Sequence, residues 1–280
     1  MLDGVPIVLV GGAGARGSGA AFVTARALRD EVLRRAGVAL PIERHVEMPG
    51  LGVRVALRDG EGLPASVPAR CRGNDEAYRL TVSPRGVDIV APREAGLRFG
   101  VETLCQLVDA RGRIPCCTID DAPRFAMRGL MLDVSRGKVP TPDSLRELVD
   151  VCARLKLNAL MLYTEHTFRW RRHPEIGKDD SPLSAETMLM LDAYASERHV
   201  ELIPSLQSLG HMEDILKLPR YRKLAETDAA WSVAPSEPAT YALLRDLYEE
   251  YLPNFRSGWL NANCDEPWDL GRGKSAARAT

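Results

Sequence analysis

The stretch RGLMLDVSRGKVPTPDSLRELVDVCARLKLNALMLYT, residues 128–164, decides the fold. Its ends, RGLMLDV (128–134) and NALMLYT (158–164), are nearly continuous apolar runs. Parallel strands buried on both faces read this way, whereas half-solvated strands alternate. Between them Thr141 caps a predicted helix with Pro142 in its first turn, and Leu145, Leu148, Cys152 and Leu155 recur on its inner face. Two more apolar runs follow, VELIPSL (200–206) and WLNANC (259–264), with predicted helices near 184–198 and 239–251. Right-handed crossovers wind such an array into an α/β barrel or an open doubly wound sheet. An eight-stranded barrel takes about 250 residues, but only 153 run from Arg128 to Thr280. The expectation is an incomplete (β/α)8 TIM barrel of about four strand–helix units over residues 123–280.

Working back toward the N-terminus, the rhythm changes. Residues 6–10 read as an apolar strand, and Ser18 can cap a predicted helix carrying Ala21, Ala25, Leu28 and Val32 on one face, closed by Arg34, Arg35 and Gly37. EAYRLTVSPRGVDIVAP (76–92) alternates around Pro84-Arg85-Gly86, a hairpin signature. Leu97, Val101, Leu104 and Val108 mark a second helix. Residues 1–122 are therefore expected to form a small α+β domain, with TIDDAPRFAMRG (118–129) as its exit.

The formal net charge of -1 gives no electrostatic footprint for nucleic acid or an anionic membrane. No run of 18 apolar residues occurs, so no membrane span is expected. The N-terminus carries an acid where an export signal carries bases. Six cysteines without zinc-like spacing read as free thiols of a cytoplasmic protein.

Several motifs compete for a function. GGAGARG places Gly12, Gly14 and Gly17 in a dinucleotide-like pattern with Glu43 beyond it. A strand-to-helix turn explains those glycines, and the hairpin that follows does not suit a nucleotide-binding half. WDLGRGKS has Trp268 where a phosphate loop needs its first glycine. His166, His173, Glu165 and Glu175 lie in an Arg-rich segment that reads as a solvated loop, so no metal is expected. The remaining candidate is the adjacent pair Asp265-Glu266, at the end of an apolar run and before Pro267. At a strand's carboxyl end both acids can turn into one cleft, where barrel enzymes keep their sites. Arg128 opening the first strand, Glu165 ending the second and His211 after the third give that pair its company.

The motifs EAGLRFGVETLCQLV, IPCCTIDDAPRFAMRGLMLDVSR, LKLNALMLYTEHTF, ERHVELIPSLQSLGHM and LNANCDEPWDLGRG, in this order, resemble glycoside hydrolase family 20, the β-N-acetylhexosaminidases. The resemblance implies an accessory α+β domain followed by the first half of the catalytic barrel. It also implies retaining hydrolysis of terminal β-linked N-acetylglucosamine or N-acetylgalactosamine without metal or cofactor. Glu266 would be the general acid, its pKa raised by an apolar, closed site. Asp265 would polarise the substrate's 2-acetamido group, whose carbonyl oxygen attacks the anomeric carbon. Arg128 would hold sugar hydroxyls, with His211 and Glu165 supporting the acetamido site. Glu165-His166 departs from the two acids many members carry there, and the family's later aromatic wall lies on strands five to eight. The implied partner is an N-acetylhexosamine-containing glycan, and the open barrel edge favours self-association. Two alternatives stay open: a carbohydrate-binding protein without catalysis, and a nicotinamide-dependent oxidoreductase built on the N-terminal glycines.

Overall fold

The computed structural model describes residues 5–10, 19–45, 54–59 and 62–278. The chain divides into two compact units. The first comprises residues up to Arg128 together with Ala153–Lys156 and Glu197–His199; the second holds the rest.

In the first unit, β1 (Ile7–Val10), α1 (Gly19–Ala36), β2 (Ile42–His45), β3 (Arg54–Asp59), β4 (Tyr78–Ser83), β5 (Gly86–Ala91), α2 (Glu94–Leu107) and β6 (Cys117–Asp121) follow in chain order. The six strands form one mixed sheet ordered β2-β1-β3-β5-β4-β6. The predicted hairpin is present: β4 and β5 pair antiparallel from Ser83 opposite Gly86, and the turn requires the positive φ of Gly86, 132°. Ala21, Ala25, Leu28 and Val32 of α1 are buried, as are Leu97, Val101, Leu104 and Val108 on and beside α2. The helical spacing of these residues therefore marks the faces that pack on the core with Ile7, Leu9, Leu80 and Ile89. The expected exit segment begins instead as β6, an edge strand antiparallel to β4. Gly12, Gly14 and Gly17 lie outside the described residues.

The second unit opens with β7 (Gly129–Asp133), α3 (Pro142–Arg154), β8 (Ala159–Thr164), α4 (Ala185–Ser196) and β9 (Glu201–Leu206), followed by the short α5 (Glu213–Leu216) and α6 (Pro238–Tyr251). β7, β8 and β9 form a parallel three-stranded sheet in sequence order. Thr141 caps α3 as expected, its Oγ1 accepting the Ser144 amide at 3.2 Å. Leu145, Val149 and Cys152 face the core, but Leu155 is 66% exposed. α3 stops at Arg154, so the helical period that pointed Leu155 inward no longer applies there.

The fourth apolar run does not form a regular strand. Residues 259–264 touch β9 through one parallel bridge, Ser205 to Asn261, with reciprocal bonds from the Leu206 amide to the Asn261 carbonyl and from the Asn261 amide to the Pro204 carbonyl, both 3.0 Å. Among the described residues nothing pairs with its far side, and ladder formation stops there. No helix among the described residues is long and apolar enough to cross a membrane.

Candidate active site

Parallel strands deliver their next residues to one rim. β8 ends at Thr164 and presents Glu165; β9 ends at Leu206 and presents Gln207 and then His211. The Asn261 segment runs alongside β9 and brings Asp265 and Glu266 to the same rim. There His211 Nε2 lies 3.2 Å from Glu266 Oε2 and 3.7 Å from Asp265 Oδ2. The other ring nitrogen, Nδ1, is 3.7 Å from Glu165 Oε1. Three carboxylates thus surround one imidazole, in the second unit alone.

A buried relay fixes two of them, Asp265 and Glu165. Gln207, wholly buried, donates from Nε2 to Asp265 Oδ1 at 2.7 Å and to the Tyr163 hydroxyl at 2.8 Å. Tyr163 in turn donates to Glu165 Oε1 at 2.8 Å. Burial pushes the Tyr163 phenol well above its ordinary value, so it remains a donor. Burial also raises the pKa of Glu165, against the opposing pull of the Tyr163 hydroxyl, Arg136 and His211. Arg136 stacks over the Tyr163 ring, 5.0 Å from its centroid. Its Nε bonds Asp133 Oδ2 at 2.5 Å and stands 3.9 Å from Glu165 Oε1.

The backbone is shaped for this gathering. His211, Asn263 and Glu266 all have positive φ, 53°, 46° and 49°, a conformation costly for residues with a β-carbon and typical of functional turns. Gly210 is required beside them, because a β-carbon there would collide with the Asp265 carbonyl oxygen. Trp231 caps the turn: its indole N–H donates to the Glu266 carbonyl at 2.7 Å, and its ring lies 4.4 Å from that of His211.

The following Gly/Lys loop is a cradle for a carboxylate of the protein itself. Glu226, buried, accepts at Oε1 the amides of Gly271, Gly273 and Ser275 at 3.1, 3.2 and 3.0 Å. These converging N–H groups resemble an anion nest, and Glu226 fills it. The loop's task is thereby visible: it anchors the chain just after Pro267 and sets the turn that carries Glu266.

Four of the five residues singled out in the sequence, Glu165, His211, Asp265 and Glu266, meet at this rim. Arg128 does not. It stands at the amino end of β7, in the first unit, where it pairs with Glu76 at 2.8 Å, donates to the Lys156 carbonyl and lies 5.3 Å over the Phe99 ring. Strand polarity explains the correction, since a residue opening a strand and a residue following it are at opposite ends. Arg136, at the carboxyl end of the same strand, is the arginine of the rim, and that polarity was its signal in the sequence. Glu266 also differs from expectation: its side chain is 74% exposed, so the described residues wall it on one side only and supply no closed apolar site. The supposedly solvated histidines are buried. His173 and Glu175 do not join His166 and Glu165 in one cluster, because His173 engages Tyr221 and Asp246 while Glu175 engages Arg220 and Tyr221.

Two family models match, in tandem. Residues 10–122 match "Glycosyl hydrolase family 20, domain 2", and residues 125–277 match "Glycosyl hydrolase family 20, catalytic domain". Among curated relatives, a beta-hexosaminidase of Akkermansia muciniphila is 29% identical over 223 residues, covering 68% of this chain and 45% of that protein. A beta-N-acetylhexosaminidase of Cellulomonas fimi is 39% identical over 137 residues, covering 48% of this chain and 26% of the relative. The chain thus spans less than half the length of either. Among solved structures, a Streptomyces coelicolor family 20 beta-N-acetylhexosaminidase superposes with a TM-score of 0.74 at 25% identity, over 92% of this chain and 55% of that one. A Streptomyces plicatus beta-hexosaminidase variant, solved with its product GlcNAc, superposes at 0.73 and 26% identity, over 92% and 56%.

Proposed function

We propose that this chain, which belongs to glycosyl hydrolase family 20, carries the acid-bearing part of a site that removes terminal β-linked N-acetylhexosamine from glycans. One observation carries the reading: the juxtaposition of Glu266, Asp265 and His211 at the carboxyl ends of parallel strands, with Asp265 tied to Gln207. In this reading β7, β8, β9 and the Asn261 segment are the first four staves of a (β/α)8 barrel. Their parallel order and the buried faces of β8 and β9 support it.

Glu266, exposed at the rim, protonates the departing glycosidic oxygen as the bond to the anomeric carbon breaks. The carbonyl oxygen of the substrate's 2-acetamido group forms the new bond to that carbon from the opposite face. No protein nucleophile is needed, and the tethered carbonyl benefits from a high effective concentration. Asp265 accepts the acetamido N–H, which makes the carbonyl a better nucleophile; Gln207 and His211 hold its carboxylate in place. Water then attacks the anomeric carbon as its bond to the acetamido oxygen breaks, restoring the acetamido group; the water gives a proton to the Glu266 carboxylate, and the product retains its configuration. Arg136, not Arg128, is the rim cation available to the sugar's hydroxyls.

Asp265→Asn, in a chain supplied with a complete barrel, tests the assignment. It should erase the preference for 2-acetamido over 2-hydroxy glycosides. An unchanged preference would refute the role. The cytoplasmic location remains part of the proposal, supported by six free cysteines of which Cys116 and Cys264 are exposed.

A further inference from the structure

Beside the carboxylate cluster, and sharing Glu165 with it, lies a second arrangement whose His166 and Asp214 the proposed hydrolysis does not use. His166 is 5% exposed, and its Nδ1 makes no hydrogen bond. That nitrogen is nevertheless aimed between two acids, 3.4 Å from Asp214 Oδ2 and 4.0 Å from Glu165 Oε2. The three ligand-type atoms lie within 4.8 Å of one another. On the ring's other side, Nε2 faces Asp180 Oδ2 at 3.5 Å. A carboxylate there selects the tautomer with the proton on Nε2 and leaves the Nδ1 lone pair free for a ligand, as carboxylates behind metal-bound histidines do.

We propose that Glu165, His166 and Asp214 bind a divalent first-row transition cation, with zinc the best fit. Zinc about 2.1 Å from each donor in tetrahedral geometry sets donor atoms roughly 3.4 Å apart. One imidazole and two carboxylates are suitable donors, and the exposure of Asp214 leaves room for water as a fourth ligand. Of the arginines that argue against a metal in the sequence, Arg172 has its charge engaged elsewhere. The Arg172 guanidinium bonds Asp246 and Glu249, and the Arg171 amide bonds Glu250. Arg136 does approach Glu165, but at Oε1, together with Tyr163 and His211; Oε2 is the oxygen turned to His166. The loop is also built closely around the histidine. Gly177, with φ 62°, packs against the His166 carbonyl where no β-carbon fits. The bound ion would tie the segment after β8 to α5 and fix the orientation of Glu165.

The 280-residue chain, stripped with a chelator, should take up one Zn2+ in a calorimetric titration. Asp214→Asn, at an exposed position, should weaken that binding at least tenfold, whereas Glu213→Gln beside it should not. Mn2+, which thiolates hold poorly, should compete for the same site. In the 15N spectrum of the chain's five histidines, one Nδ1 resonance should move on adding Zn2+. No saturable uptake, equal affinity in Asp214→Asn, or uptake lost when the cysteines are alkylated would overturn the proposal. None of these readouts depends on hydrolysis, so the glycosidase reading stands or falls separately.

Discussion

Nε2 of His211 lies 3.2 Å from Oε2 of Glu266, and both residues hold the backbone in the left-handed region. The contact joins the end of β9 to a segment that pairs with β9 through a single backbone bridge, at Asn261. Two strained positions thus bring an imidazole and a carboxyl group together, and functional sites are where such strain is tolerated.

Gln207 is the first test of that arrangement. Its Nε2 is the donor that fixes Asp265 Oδ1. Gln207→Glu replaces this donor by a second carboxylate. In a complete barrel, kcat on 2-acetamido substrates should fall about 10- to 100-fold, the worth of a hydrogen bond to a charged group. Steady-state kinetics should show little change for 2-hydroxy analogues.

The two arginines that flank β7 should separate cleanly. Arg128→Ala removes the partner of Glu76 and the donor to the Lys156 carbonyl. It should cost about 1–3 kcal/mol in a denaturant titration, with KM unchanged. Arg136→Ala should leave stability nearly intact and raise KM, because its side chain is exposed at the rim.

Glu226→Ala should loosen the turn that carries Glu266. Three backbone amides lose their common acceptor, so a loss of about 1–3 kcal/mol is expected. Hydrogen exchange should rise at Gly271, Gly273 and Ser275 while the first unit is unaffected.

The first unit has its own pH signature. The Glu31 carboxyl is lowered from 4.5 to about 2, chiefly by its hydrogen bond to Arg34 and with help from Arg35. Its folded value lies below its unfolded one, so the stabilisation is present above about pH 4.5 and is lost as pH falls toward 2. Thermal melts should show wild type more stable than Glu31→Gln at pH 6. The difference should vanish by about pH 2.

The β7 edge offers one more. Leu130 and Met131 are exposed, and among the described residues β7 pairs only with β8. We propose that this edge drives self-association of the chain. Met131→Lys should shift the sedimentation profile toward the monomer; an unchanged profile would exclude the edge.

Much of this was legible in the sequence because it is local or periodic. The runs at β7, β8 and β9 announce parallel strands, and the hairpin around Gly86 follows from turn chemistry. Asp265-Glu266 stands out because two acids end an apolar run. What escaped depends on direction and distance. Arg128 and Arg136 are equally plausible by residue type, and only the sense of β7 separates them. Gln207 and Tyr163 look like ordinary strand-end residues until folding places them between Asp265 and Glu165. Glu226 gives no hint of its loop 45 residues later, and the burial of His166 depends on Gly177 closing over it. Long-range satisfaction of buried polar groups is written in coordinates more than in patterns.

The central claim is tested most directly by leaving-group dependence in a complete barrel carrying Glu266→Gln. Hydrolysis of a β-linked N-acetylglucosamine disaccharide, whose sugar leaving group needs a proton, should fall by about 10²–10⁴. A 4-nitrophenyl glycoside, whose leaving group needs little help, should lose much less. Near-normal cleavage of the disaccharide by the Glu266→Gln protein would contradict the account.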